Sequence, residues 1–117
     1  MRPGARTPEE LETLLEDAFV IRDGEALAEL FEDGAVLVSE EGVREARGGD
    51  EIARLAREMW QRNRTYLADP RLVLQARNTG LVVTKRGVNV VRRGGDGAWR
   101  YAIALLARDT TTTEEDQ

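Results

Sequence analysis

LVLQARNTGLVVTKRGVNVVRRGGDGAWRYAIALLA, residues 72–107, decides the fold. Four β-prone runs, 72–77, 81–84, 88–93 and 99–107, follow one another with little between them. The links Asn78-Thr79-Gly80, Lys85-Arg86-Gly87 and Gly94-Gly95-Asp96-Gly97 are too short for a crossover and rich in residues that turn a hairpin, so the second half of the chain reads as an antiparallel meander. The last strand is apolar on both faces, with Ile103 and Leu105 alternating with Ala102, Ala104 and Leu106. One face can meet helices, and the other needs a second sheet or a second subunit; the second of these predicts a homodimer through the outer sheet face.

Upstream of the meander the period changes from two to 3.6. Thr7-Pro8-Glu9-Glu10 starts a helix: threonine caps, proline suits the first turn and Glu10 completes a capping box. Leu11, Leu14, Leu15, Ala18 and Ile21 form its apolar stripe, with Glu12, Glu16, Asp17 and Arg22 assigned to other faces. Asp23-Gly24 ends it, and a shorter helix follows over 25–31. Residues 35–39, Ala-Val-Leu-Val-Ser, read as a buried strand, and 40–49 as a polar connection. Asp50 caps a third helix in which Ile52, Leu55, Ala56, Met59 and Trp60 repeat at steps of three and four, leaving Arg54, Arg57, Glu58 and Arg62 in solvent. Helices followed by strands give an α+β domain over 7–108, with three helices on one face of a curved antiparallel sheet. Residues 1–6 are expected to be flexible, and 109–117, four threonines and four acids with nothing to bury, to form a disordered tail.

Composition removes whole classes of chemistry. The 117 residues contain no cysteine and no histidine, which excludes disulfides, thiolate nucleophiles, histidine-based triads and the commonest metal ligands. The chain carries a formal charge of −5 and its cations are sixteen arginines and Lys85, so nucleic acid is not an expected partner. No apolar run is long enough to span a bilayer, and the N-terminus lacks the apolar core of a secretory signal, which reads as a cytoplasmic protein with no membrane partner. The carboxylates show no metal-ligand spacing, so neither metal nor cofactor is expected.

The order of elements, with Asp23-Gly24-Glu25, Leu30-Phe31-Glu32-Asp33-Gly34-Ala35-Val36-Leu37, Gly48-Gly49-Asp50-Glu51-Ile52, Arg92-Arg93 and Asp96-Gly97-Ala98-Trp99-Arg100-Tyr101, resembles the nuclear transport factor 2-like superfamily, in particular its ketosteroid isomerase-like and SnoaL-like bacterial members. The resemblance implies a cystatin-like α+β cone with a pocket at its wide end, but not one activity. The isomerases' general base corresponds to Ser39, which cannot serve as a base at neutral pH, with Glu40 beside it. Their first oxyanion donor falls near Asp17. The second corresponds to Asn89, which retains a donor.

The expected function is a pocket for a hydrophobic, carbonyl-bearing small molecule, with cofactor-free isomerisation, cyclisation or dehydration as the chemistry. Candidate catalytic residues are Asp17, Glu40 and Asn89. Candidate ligand-binding residues are Asn89, Tyr101, Trp60, Tyr66 and Trp99. Each also has a structural reading: Asp17 solvated, Trp60 and Tyr66 as plain core, Trp99 packed behind its turn. The alternative function is a non-catalytic dimeric binding or scaffold module whose cone is filled by its own side chains. A cavity of about 300 Å³ or more, lined by Asn89 and an inward carboxylate, marks the first, and a packed interior with Asn89 in solvent marks the second.

Overall fold

A computed structural model describes residues 4–39, 44–85 and 87–106. Helix α1 (Pro8–Ile21) begins where its cap places it, with the Thr7 hydroxyl accepting from Glu10 N at 3.0 Å. It ends at Arg22, whose φ of 56° turns the chain out of the helix. Helix α2 (Gly24–Ala28) is capped by Asp23, whose carboxylate accepts from Ala26 N at 3.1 Å. It is shorter than its sequence suggests, because Phe31 already belongs to strand β1 (Phe31–Ser39) and stacks at 5.2 Å on Tyr101.

The connection after β1 contains a strand the apolar pattern does not announce. β2 (Arg44–Arg47) pairs antiparallel with the end of β1, and its one buried side chain is Ala46. An edge strand with a single inward residue leaves almost no period-two signal. Helix α3 (Gly48–Gln61) then starts two residues before Asp50. Gly48, at a φ of 82°, makes the reversal from strand to helix that a residue with a Cβ resists. Glu51, in the first turn, reaches back to accept from Arg47 N at 2.9 Å. The α3 stripe is as expected, with Ile52, Leu55, Ala56, Met59 and Trp60 all buried. Residues 62–71 have neither helix nor strand.

Strands β3 (Leu72–Ala76), β4 (Thr79–Thr84), β5 (Gly87–Arg93) and β6 (Trp99–Leu106) form the antiparallel meander. The six strands run in the order β2-β1-β6-β5-β4-β3, and β1 lies parallel to β6, so the sheet is mixed at that single seam. Register shifts between Val90 and Val91 on β5 and between Phe31 and Val36 on β1 bend the sheet around the helices. Ala5 accepts from Trp99 N at 2.9 Å and is buried, so residues 4–6, expected to be flexible, are tied to β6 by a backbone bond and an apolar contact. The expected tail over 109–117 lies outside the described residues. Among the described residues no helix is long and apolar enough to cross a membrane.

The core lies between the helices and the concave face of the sheet. Outward-facing side chains on the other face remain uncovered: Leu72 and Leu74 are each 51% exposed, and Leu81, Val88 and Ile103 are also open to solvent.

Candidate functional site

The inner face of the meander carries two polar side chains on adjacent strands. Asn89 projects from β5 and Tyr101 from β6, both on the side that holds Val91 and Ala104, and both are buried. Across from them, the second turn of α1 presents Glu12, which is 0% exposed. Its place follows from helical geometry: Glu12 is four residues after Pro8 and three before Leu15, and those two are buried on the same face. The fourth member, Tyr66, arrives from the irregular segment after α3.

All four meet at one carboxyl group. The Tyr66 hydroxyl donates to Glu12 Oε1, the Tyr101 hydroxyl to Oε2 at 2.7 Å, and the Asn89 amide to Oε2 at 3.2 Å. Asn89 is held in turn, its Oδ1 accepting from Leu105 N at 2.8 Å. The donors come from positions 54, 77 and 89 residues away in sequence from Glu12, so the cluster exists only in the folded cone. Among the described residues no arginine or lysine pairs with Glu12. Taking a carboxylate out of water costs several kcal/mol, and here three neutral donors must offset it, at about 1.5 to 3 kcal/mol for each hydrogen bond to a charged group. Burial pushes the Tyr101 hydroxyl well above its ordinary titration range, and the negative charge of Glu12 pushes it further. Tyr101 is therefore a neutral donor throughout the physiological range.

An aromatic wall adjoins the cluster. Phe19 meets Trp60 edge-on at 5.7 Å and lies 6.1 Å from Tyr66. Among the described residues the buried indole Nε1 of Trp60 has no hydrogen-bond partner, a deficit of about 1 to 3 kcal/mol unless an acceptor reaches it.

The structure brings together Asn89, Tyr101 and Tyr66 from the sequence-derived candidates and places Trp60 beside them. Trp99 is elsewhere, buried under Ala5 with the Arg93 guanidinium 5.5 Å over its ring. Asp17 does not enter the cone: it sits on the exposed side of α1, because it is five residues from Glu12 and half a turn out of phase with it. Glu40 lies outside the described residues. Ser39 is buried at the inner end of β1, opposite Leu106. Glu12, assigned by its charge to a solvent face, was the member missed; its spacing from Pro8 and Leu15 is the signal that finds it. Ile21, placed in the stripe, is 64% exposed, and Phe19 takes the inward position instead.

At Glu12 the four side chains pack against one another, all of them buried. A concavity of about 1160 Å³ lies outside the cone between α1, α2 and the β5–β6 turn, where Asp17, Ile21, Glu25, Asp33 and Trp99 contribute to its walls. Two arginines of the meander are engaged there and nearby. Arg92 pairs with Glu32 at 2.9 Å and Arg100 with Asp96 at 2.8 Å. Arg100's hydrogen bonds hold the Asp96 carboxyl down to about 2. Among the described residues no group of three or more acidic side chains is arranged to hold a metal ion.

No family model matches the chain. No curated protein matches it either. Solved structures do. A ketosteroid isomerase-like protein from Erwinia carotovora superposes with a TM-score of 0.64 at 20% identity, over 81% of this chain and 88% of that one. An NTF2-like protein with a cystatin-like fold from Novosphingobium aromaticivorans gives 0.66 at 19%, over 92% and 84%. A Thiobacillus denitrificans protein provisionally described as a calcium/calmodulin-dependent protein kinase type II association domain gives 0.69 at 18%, over 87% and 94%. Helices, sheet order and these superpositions agree: the chain has the nuclear transport factor 2-like, cystatin-like α+β fold.

Proposed function

We propose that the cone interior binds a small apolar molecule bearing a carbonyl or hydroxyl group and moves a proton on it without a cofactor. The observation that carries this reading is Glu12, a fully buried carboxyl group served by three neutral donors and no cation. Buried groups of this kind are liabilities for a core and assets for a site. In the proposed step Glu12 takes a proton from the carbon next to a carbonyl. The electron pair moves onto the carbonyl oxygen, and the Tyr101 hydroxyl and Asn89 amide turn from Glu12 to hold the enolate formed. Return of a proton from Glu12 to a carbon completes an exchange or an isomerisation.

The test is deuterium uptake at the α-carbon of 2-tetralone in deuterated buffer. The wild-type protein accelerates uptake, and Glu12→Gln lowers the rate by about 10² or more, the usual contribution of a positioned general base. Equal rates for the two proteins contradict the reading.

A second reading is a non-catalytic scaffold with a filled cone. It is favoured by the complete engagement of Asn89, whose amide and carbonyl both have protein partners, and by the burial of all four side chains that meet at Glu12. In either case we propose a homodimer through the outer sheet face, supported by the uncovered side chains of Leu72, Leu74, Leu81, Val88 and Ile103 on four neighbouring strands. A contiguous apolar face of this kind on a small domain calls for a partner, and a second copy presents the same face.

A further inference from the structure

We infer that Tyr66 is a built-in occupant of the site: its phenol fills the place of a ligand ring and its hydroxyl takes the ligand's hydrogen bond to Glu12, so that the natural ligand is a planar ring with a phenolic or enolic hydroxyl. This rests on the reading of the cone interior as a ligand site.

Three observations support it. Tyr66 is the only buried side chain between Gln61 and Leu72, in a stretch with neither helix nor strand. Withdrawing it gives up its hydrogen bond to Glu12 and its contact with Phe19 but breaks no strand pairing, unlike withdrawal of Asn89 or Tyr101, which are fixed in strands β5 and β6. Second, what it leaves behind has a defined chemistry. Tyr66 donates to Glu12 Oε1, whereas Asn89 and Tyr101 both donate to Oε2. Removal of Tyr66 therefore frees one acceptor oxygen, beside the Phe19 ring 6.1 Å away. A ring bearing one O–H donor fits that vacancy as Tyr66 does. Third, Trp60, edge-on to the same Phe19, holds a buried indole N–H that no acceptor among the described residues meets. A ligand carrying a second oxygen beyond its ring supplies the acceptor that Tyr66 does not have.

The filled interior then has a cause. If Tyr66 closes the site in nine molecules of ten or more, a ligand binds with an affinity reduced by about tenfold or more, because only the open fraction is competent. Replacing Tyr66 by phenylalanine keeps the ring but deletes the competing hydroxyl, and that fraction rises.

The experiment titrates wild type, Tyr66→Phe and Glu12→Gln with p-cresol and, as its hydroxyl-free counterpart, toluene. Binding is followed by protein NMR, and hydrogen exchange of the 64–68 amides is measured in parallel. The inference predicts that Tyr66→Phe binds p-cresol about tenfold more tightly than wild type with no such gain for toluene. It also predicts that p-cresol speeds amide exchange over 64–68 in the wild-type protein as Tyr66 is displaced. A Tyr66→Phe variant that gains equally for both probes, or for neither, overturns it, since a side chain that only packs gives that result. If p-cresol binding needs Glu12 but ignores Tyr66→Phe, the site reading stands and the stand-in falls. If p-cresol ignores Glu12 in every variant, both fall. Should Tyr66→Phe fail to fold, the wild-type exchange measurement decides alone: unchanged exchange over 64–68 with p-cresol bound refutes the inference.

Discussion

Replacing Tyr101 by phenylalanine removes one oxygen from the centre of the cone and nothing else. The ring keeps its stacking on Phe31 at 5.2 Å. What disappears is a 2.7 Å hydrogen bond to Glu12 Oε2, in a place where neither group reaches solvent, Tyr101 being 0% exposed. A hydrogen bond to a charged group is worth about 1.5 to 3 kcal/mol net, and water cannot replace it without opening the core. With a urea slope of about 1 to 3 kcal/mol per molar for a protein of this size, the midpoint should fall by roughly 1 M at neutral pH. The pH dependence gives a second reading of the same group. Tyr101 titrates higher in the folded protein than in the unfolded chain, so its contribution to stability is fully present below about pH 10 and is lost as pH rises from there through the folded-state value. Over that window wild type should lose about 1.4 kcal/mol more per pH unit than Tyr101→Phe, the slope of one proton. Urea denaturation at pH 7 and at several values above 10 measures both. An unchanged midpoint at neutral pH, or alkaline slopes that coincide, would refute the claim that Tyr101 holds Glu12 as a neutral, water-excluded donor.

Three further outcomes follow from the same contacts. Asn89→Leu should destabilise by about 1 to 3 kcal/mol in thermal or urea unfolding, because it leaves the Leu105 N–H without its 2.8 Å acceptor and removes a donor from Glu12; unchanged stability would show that water or a backbone shift satisfies both. A double change on the outer sheet face, Leu74→Lys with Ile103→Asp, should turn a dimer into a monomer in sedimentation at micromolar concentration while leaving the far-ultraviolet circular dichroism intact; a wild-type monomer at that concentration removes the dimer proposal. Arg100→Met should let the Asp96 carboxyl, held at about 2 by its hydrogen bonds to Arg100 and Ala98, titrate closer to 3.8, as followed by carboxyl NMR; a value that stays near 2 would assign the shift to the turn backbone instead.

What could be read from the chain, and what could not, divides along physical lines. The meander was legible because its hairpin links are short and its apolar residues alternate, and α3 because its stripe is uninterrupted from Ile52 to Trp60. β2 was not, since an edge strand with one inward alanine has no period to detect. The polar heart of the cone was half legible. Asn89 lies two residues from Val91 in an alternating strand, so its burial follows from that phase, whereas Tyr101 is in step with the exposed Ile103 and is turned inward by the irregularity that pairs Val90 with Ile103 but Val91 with Tyr101. Glu12 stood in the apolar face of α1 at the right spacing and was assigned to solvent by its charge, a rule that holds for most carboxylates and fails where a site overrides it. Its partners lie 54 to 89 residues away, and no local pattern joins a helix carboxylate to a tyrosine in an irregular segment. Asp17 shows the converse error: its type suited acid–base chemistry, but its phase on α1 puts it on the outer side.

The cone interior and the outer cleft carry different carboxyl groups, which makes the central claim directly testable. Glutamate and aspartate side-chain carboxyl carbons, labelled with ¹³C, can be followed while 2-tetralone is added to the wild-type protein. The account predicts that the Glu12 resonance moves most, with the outer-cleft carboxylates Asp17, Glu25 and Asp33 left in place. Movement at those three with Glu12 unchanged would contradict it and put the ligand outside the cone.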